Sequence, residues 1–182
     1  MFRQRCRTPR RRWALIALAV ALGAFVAATL RLFVWPDMPV APARVDAIIE
    51  LAGPGERDPT ALALARAHRA GDLAQSTTLD DERAGQCLPQ VPGVTTICFH
   101  PDPETTRGEA RRIGELARQR NWKSVILVTS RDHVWRATLR VSRCFPGDIY
   151  VSPSPLPPLD WFRAIPYQWA ATVKALVFER DC

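Results

Sequence analysis

The sequence predicts an α/β domain with a mainly parallel sheet, preceded by one N-terminal transmembrane helix. Three observations carry this. The run "WALIALAVALGAFVAATL", Trp13 to Leu30, holds no charge. Beyond it, strand-like apolar runs alternate with helical segments of about 10–17 residues, the order that builds a parallel sheet with covering helices. The stretch "KSVILVTS" at 123–130 is an almost unbroken apolar run, as expected of a strand buried on both faces.

The N-terminal helix follows from length and flanks. Eighteen uncharged residues, extended by "LFVW" after Arg31, approach the ~30 Å of a bilayer core. Arg31 can snorkel to the far interface, where Trp35 sits, and Trp13 marks the near one. Arginines at 3, 5, 7, 10, 11 and 12 precede the run and no acid occurs before Asp37, which places the N-terminus in the cytoplasm and the remainder outside the cell membrane. The h-region of a cleaved signal peptide is about 7–15 residues, so this longer run reads as an uncleaved signal anchor; cleavage at "APA" (41–43) is the alternative. The chain therefore divides into a basic tail (1–12), a transmembrane anchor (13–35), a Pro-rich stalk (36–44) and an α/β domain (45–182). Seven of the 25 basic residues lie before residue 32, leaving 18 against all 18 acids. A domain of zero net charge excludes nucleic acid as a partner, and the membrane takes its place.

Within the domain, "VDAIIEL" (45–51) reads as the first strand and "TALALARAHRA" (60–70) as a helix stopped by Gly71. "LAQSTTL" (73–79) is a second strand, "DDERAGQCLPQVPG" a loop, and "VTTICF" (94–99) a third strand. The next helix shows a capping box, Thr106-x-x-Glu109, and a stripe of Ala110, Ile113, Leu116 and Ala117. After the strand at 123–130, a helix over 131–144 sets Val134, Ala137, Val141 and Cys144 on one side and His133, Arg136, Arg140 and Arg143 on another, the last two solvated. "DIYVSP" (148–153) is a short strand. A final aromatic helix, "WFRAIPYQWAATVKALVFE", is bent or begun at Pro166 and packs on the sheet.

An extracytoplasmic domain is disulfide-permissive, and it holds four cysteines, Cys87, Cys98, Cys144 and Cys182. Three pairings are open. Cys87–Cys98, closing a short loop, and Cys144–Cys182, tying the C-terminus to a helix end, are preferred. No two of the four have zinc-ligand spacing, and no metal is expected. His68 and His100 lack metal-spaced partners and read as structural or surface residues.

Ligands of parallel sheets bind outside the carboxyl ends of the strands. "AGPGER", with Gly53, Gly55 and Arg57, "PDPETTRGEA" and "TSRDHVWRA" should meet there. Helix N-termini and Arg57, Arg107, Arg131 and Arg136 suit an anion, and Glu109 and His133 form a candidate acid/base pair. Glu109 is equally a capping residue, and His133 and Arg136 have structural readings as a solvated helix start and an ion pair. No G-x-S-x-G elbow, Walker A loop or intact G-x-G-x-x-G occurs, so the cofactor is unknown.

Thr106-x-x-Glu109-Ala110 and "VTSRDHVWRA" together resemble the T-x-x-N/E-A and V-T-S-x-x-H-x-x-R-A segments of the YdcF-like family, the domain of unknown function that includes the bacterial envelope proteins SanA and ElyC. The likeness covers nearly all of 45–180. It implies a Rossmann-like three-layer fold, frequent tethering by one helix, and a site lined by Thr106, Glu109, Ser130, His133 and Arg136. This chain departs from that pattern in two places. Ala52-Gly53-Pro54-Gly55 stands where the family has a glycine triplet, and Ser76-Thr77-Thr78 where it has S-G-G. The expectation is an envelope protein that binds a small anionic, phosphorylated or nucleotide-like ligand and acts on it by hydrolysis or transfer. The competing expectation is a non-catalytic scaffold with a degenerate pocket.

Overall fold

The computed structural model describes residues 9–53 and 56–182; the tail residues before Pro9, with Cys6, and the loop residues Pro54 and Gly55 lie outside them. Five strands form one all-parallel sheet: β1 (Ala47–Glu50), β2 (Asp72–Ser76), β3 (Thr95–Phe99), β4 (Ser124–Ser130) and β5 (Asp148–Ser154), in the order β3-β2-β1-β4-β5. The chain builds outward from β1 to β3, then returns to lay β4 on the other side of β1. That reversal opens a crevice at the carboxyl ends of β1 and β4, where α/β sheets bind ligands.

Side-chain alternation sorts the strands' apolar residues onto two faces. Ile48, Ile126 and Val128 pack with Ala61 and Ala65 of helix α2 (Arg57–Arg66). Ile49, Val125 and Leu127 pack with Ile113 and Leu116 of α4 (Thr106–Arg120) and with Ala137 and Val141 of α5 (Val134–Val141). Both faces are covered, as the apolar run of β4 predicts.

Several boundaries differ from expectation. Helix α2 begins three residues early, because Pro59 occupies a first-turn position whose amide has no intrahelical partner. It ends at Arg66, with His68 at φ +50°, so the stop falls before Gly71. Strand β2 ends at Ser76 because Thr78 turns to cap a short helix, α3 (Leu79–Ala84), accepting from the Asp81 amide at 3.1 Å. Those residues read as strand end and loop in the sequence. The cap of α4 is Thr105, not Thr106, and accepts from the Gly108 amide. A 3-10 turn, Arg131–His133, intervenes between β4 and α5. The last helix, α6 (Trp161–Val177), begins five residues before Pro166 and contains it.

Helix α1 (Pro9–Thr29) runs into a π-turn, Leu30–Val34, and the stretch Arg11–Val34 is long and apolar enough to cross a membrane. Its far end is wedged into the domain: Phe33 is fully buried, and Trp169 of α6 stacks on Phe25 and donates to Thr29 Oγ1 at 3.0 Å. The proline segment after it, expected as a stiff stalk, has no helix or strand and meets the domain, with Arg69 donating to the Pro42 carbonyl at 2.6 Å. Cys87 pairs with Cys98 and Cys144 with Cys182, at Cα separations of 5.5 and 4.9 Å, the preferred pairing.

Candidate functional site

The carboxyl ends of β1, β2 and β4 open into a cleft of about 900 Å³, roofed on one side by α6. Three segments distant in sequence are bonded to one another at its floor. The Ala52 amide after β1 donates to Glu109 Oε1 at 2.7 Å, Arg57 donates to Ser130 Oγ at 3.2 Å, and Thr106 Oγ1 lies 3.3 Å from His133 Nε2.

Thr106 opens α4 and turns its hydroxyl inward, freed from capping by Thr105. Arg136 Nη1 donates to that hydroxyl at 2.9 Å. A guanidinium can only donate, so the Thr106 oxygen accepts from Arg136 and keeps its proton and a second lone pair for the contact with His133 Nε2. The other ring nitrogen, Nδ1, shares a hydrogen bond with Thr129 Oγ1 at 2.8 Å, so a neutral imidazole donates to one of the two threonine hydroxyls and accepts from the other. Burial foremost, with Arg136 and Arg57 adding repulsion, holds this imidazole well below its ordinary titration range. Both ring nitrogens are engaged, so His133, which lines the cleft, also orients Thr106.

Arg136 is 8% exposed and has no carboxylate within ion-pair distance among the described residues. Its Nε donates to Gln168 Oε1 at 2.8 Å and its guanidinium lies under the Tyr167 ring, 5.5 Å from the centroid. Among the described residues no hydrogen bond engages its second terminal nitrogen. Gln168 in turn donates to Asp132 Oδ2 at 2.7 Å, leaving Asp132 Oδ1 buried without a partner.

Glu109, 3% exposed, is pushed up by burial and drawn back down by the Ala52 amide and the charges of Arg57 and Arg136. It does not close a capping box: its carboxylate reaches across to the β1 loop instead. Glu50, ending β1, is pushed up to about 8 by burial and by Asp58 alongside, so it is neutral through most of the physiological range.

Arg57 turns back onto its own loop, donating to the carbonyls of Leu51, at 2.6 Å, and Ala52. Gly53, at φ +130°, lets the guanidinium approach: a Cβ there would stand 3.0 Å from Arg57 Nη2. Arg57 thus binds the carbonyls of Leu51 and Ala52 beside Gly53, and both Gly53 and Arg57 line the cleft. Gly55 lies outside the described residues. Arg107 and Arg131 do not line the cleft, and Arg107 pairs with Asp181 on the outer side of α4. Arg140 and Arg143, expected to be solvated, hold the last turn of α6: Arg140 donates to the Glu179 carbonyl at 2.7 Å and Arg143 to the Ala175 carbonyl at 3.0 Å.

Glu50, Asp132, Gln168 and Thr129 escaped sequence reasoning as site residues. The only trace of them is a polar residue interrupting an apolar run, as Glu50 ends "AIIE" and Gln168 breaks an aromatic helix. Among the described residues, no cluster of three acidic, histidine or cysteine side chains could hold a metal ion. Comparison with protein-family models, with curated proteins and with solved structures finds no match to this chain.

Proposed function

We propose that this is a single-pass, membrane-anchored YdcF-like protein whose domain lies outside the cytoplasm and binds a small phosphorylated or nucleotide-like anion in the cleft. The observation that carries the reading is Arg136: a buried guanidinium, without a carboxylate counter-ion among the described residues, with one terminal nitrogen unbonded beside the first turn of α4. Burying a charge unpaired is costly, and a ligand anion supplies the missing partner. The orientation is supported by the arginines before Trp13, and the extracytoplasmic location by two disulfides. The family resemblance is supported by the meeting of its two signature blocks through the contacts of Thr106 with His133 and Arg136.

In hydrolysis or transfer at such a ligand, Arg136 and the amides of the first turn of α4 hold the anion, Thr106 is held in place by His133, and Glu109 moves the proton. Its raised affinity for a proton brings it toward neutrality, where a carboxyl is more effective in that role. The scaffold reading also has an observation in its favour: Arg57 donates to the carbonyls of Leu51 and Ala52, within the protein itself.

Thermal shift of the full chain in micelles against nucleotides, sugar phosphates and polyprenyl-phosphate analogues decides between them. A ligand at a hundredfold excess over its Kd stabilises the fold by about 2.7 kcal/mol. We expect a shift for one class that is lost in Arg136→Ala and Thr106→Val proteins that still melt cooperatively. No shift across the set favours the scaffold.

A further inference from the structure

Helix α6 carries a second pattern besides the one that lines the cleft. Phe162, Pro166, Trp169, Val173 and Leu176 recur at steps of four and three, which stack into one stripe along a helix. The inward face of α6 is made by Gln168, Thr172 and Ala175. The stripe lies elsewhere: Phe162 is 81% exposed, Val173 49% and Leu176 43%. Arg163 and Lys174 fall on the neighbouring flank, both exposed.

The side-chain contacts of Trp169, in the middle of the stripe, identify the surroundings. Trp169 packs against Phe25 and Phe33, and its indole nitrogen donates to Thr29 Oγ1, all in the apolar stretch Arg11–Val34. Charge returns to this stretch at Arg31, which pairs with Asp37 and marks the water or headgroup level. Phe25 precedes Arg31 by six residues, which is about 9 Å along a helix axis. Trp169 therefore meets α1 across that level, from Phe25 and Thr29 on its apolar side to Phe33 just beyond Arg31, which is the boundary where interfacial helices lie.

We propose that α6 is a second membrane-contact element, its stripe lying in the headgroup–acyl boundary of the leaflet from which α1 emerges. The inference rests on α1 spanning the bilayer. Arg163, at the edge of the stripe, reaches lipid phosphates, Lys174 on the same flank pairs with Glu179 at 3.1 Å, and Tyr167 sits at the same boundary with its ring over Arg136. The mouth of the cleft, which Arg163 and Tyr167 help to line, then opens at the membrane surface rather than into bulk solvent.

The test uses the full chain with Cys6→Ser, reconstituted in vesicles of phosphatidylcholine and phosphatidylglycerol. An environment-sensitive fluorophore is placed singly through Phe162→Cys, Val173→Cys, Leu22→Cys in α1 or Gln119→Cys on α4. Lipids spin-labelled high on the acyl chain should quench the labels at 162 and 173 to roughly half their emission, and leave the label at 119 untouched. Quenching at 22 without quenching at 162 and 173 overturns the proposal while α1 still spans. Blue-shifted emission at 162 and 173 without lipid quenching overturns it in favour of a second copy or another protein on the stripe. Absence of quenching at 22 removes the spanning helix on which the proposal stands.

Discussion

Glu50 and His133 impose opposite pH dependences on the same fold. Glu50 is raised to about 8, so between its ordinary 4.5 and 8 the folded state holds a proton that the unfolded state has lost. Its contribution is full below 4.5 and is lost as pH rises toward 8. His133 is depressed well below 6.5, so its contribution is full above 6.5 and is lost as pH falls beneath it. The two oppose each other on the acid side; above 6.5 Glu50 acts without His133, and Glu109, also raised, adds the same sign. At about 1.4 kcal/mol per pH unit, stability should fall by roughly 2 kcal/mol between pH 6.5 and 8, and Glu50→Gln should remove most of that fall. Denaturant midpoints of both proteins across this range test it; parallel declines would mean the Glu50 carboxyl is ionised in the fold. The residues of the floor were only half visible in the sequence. Thr106, Glu109, Ser130, His133 and Arg136 lie in two short blocks whose spacing marks them. Gln168 and Asp132 take their meaning from partners over thirty residues away, and only the packing of α6 over the cleft brings them together.

At the scale of elements, hydrophobic period was a good guide to existence and type, and a poor one to ends. Each end moved for a local reason. Thr105 and Thr106 are both competent caps, and the choice between them depends on which hydroxyl Arg136 and His133 claim. Helix α3 has no apolar period at all and is held by the Thr78 cap with Asp80, Asp81 and Glu82 in its first turn, a signal of charge and capping that period cannot carry. The crossing of α4 and α5 is set by Gly114, which lets the Cys144 carbonyl approach: a Cβ there would stand 2.5 Å from that oxygen. In an exposed helix interior Gly→Ala gains about 1 kcal/mol from propensity. Here the added methyl must push α5 and the Cys144–Cys182 link away, so Gly114→Ala should instead cost about 1–3 kcal/mol in equilibrium unfolding, the range of overpacked cores. A neutral or stabilising result would show that the two helices are free to separate.

The whole molecule is a parallel sheet clamped at its C-terminal side by devices the strand pattern does not reveal. The alternation of strands and helices implies a parallel sheet, while the order β3-β2-β1-β4-β5 is set by which edge each crossover reaches, which the alternation leaves open. What the alternation could not convey is how α6, joined to β5 by a proline-rich crossing, is fastened over the cleft. It is held by Arg140 and Arg143 at its last turn, by Trp169 on α1, and by the disulfide that returns Cys182 to Cys144. The two disulfides close loops of different length, with sequence separations of 38 for Cys144–Cys182 and 11 for Cys87–Cys98. Chain entropy alone assigns them about 4 and about 3 kcal/mol respectively. The longer one also confines the helix that carries Gln168 and Tyr167, so its loss should reach the site while loss of the other stays local. Paired serine variants separate the two effects. Cys144→Ser with Cys182→Ser should lower the thermal midpoint further than Cys87→Ser with Cys98→Ser, and should speed amide exchange at Asp132 and Arg136, which the shorter link leaves slow. Equal midpoints with unchanged exchange would show that the arginine contacts and the α1 junction hold α6 without the disulfide.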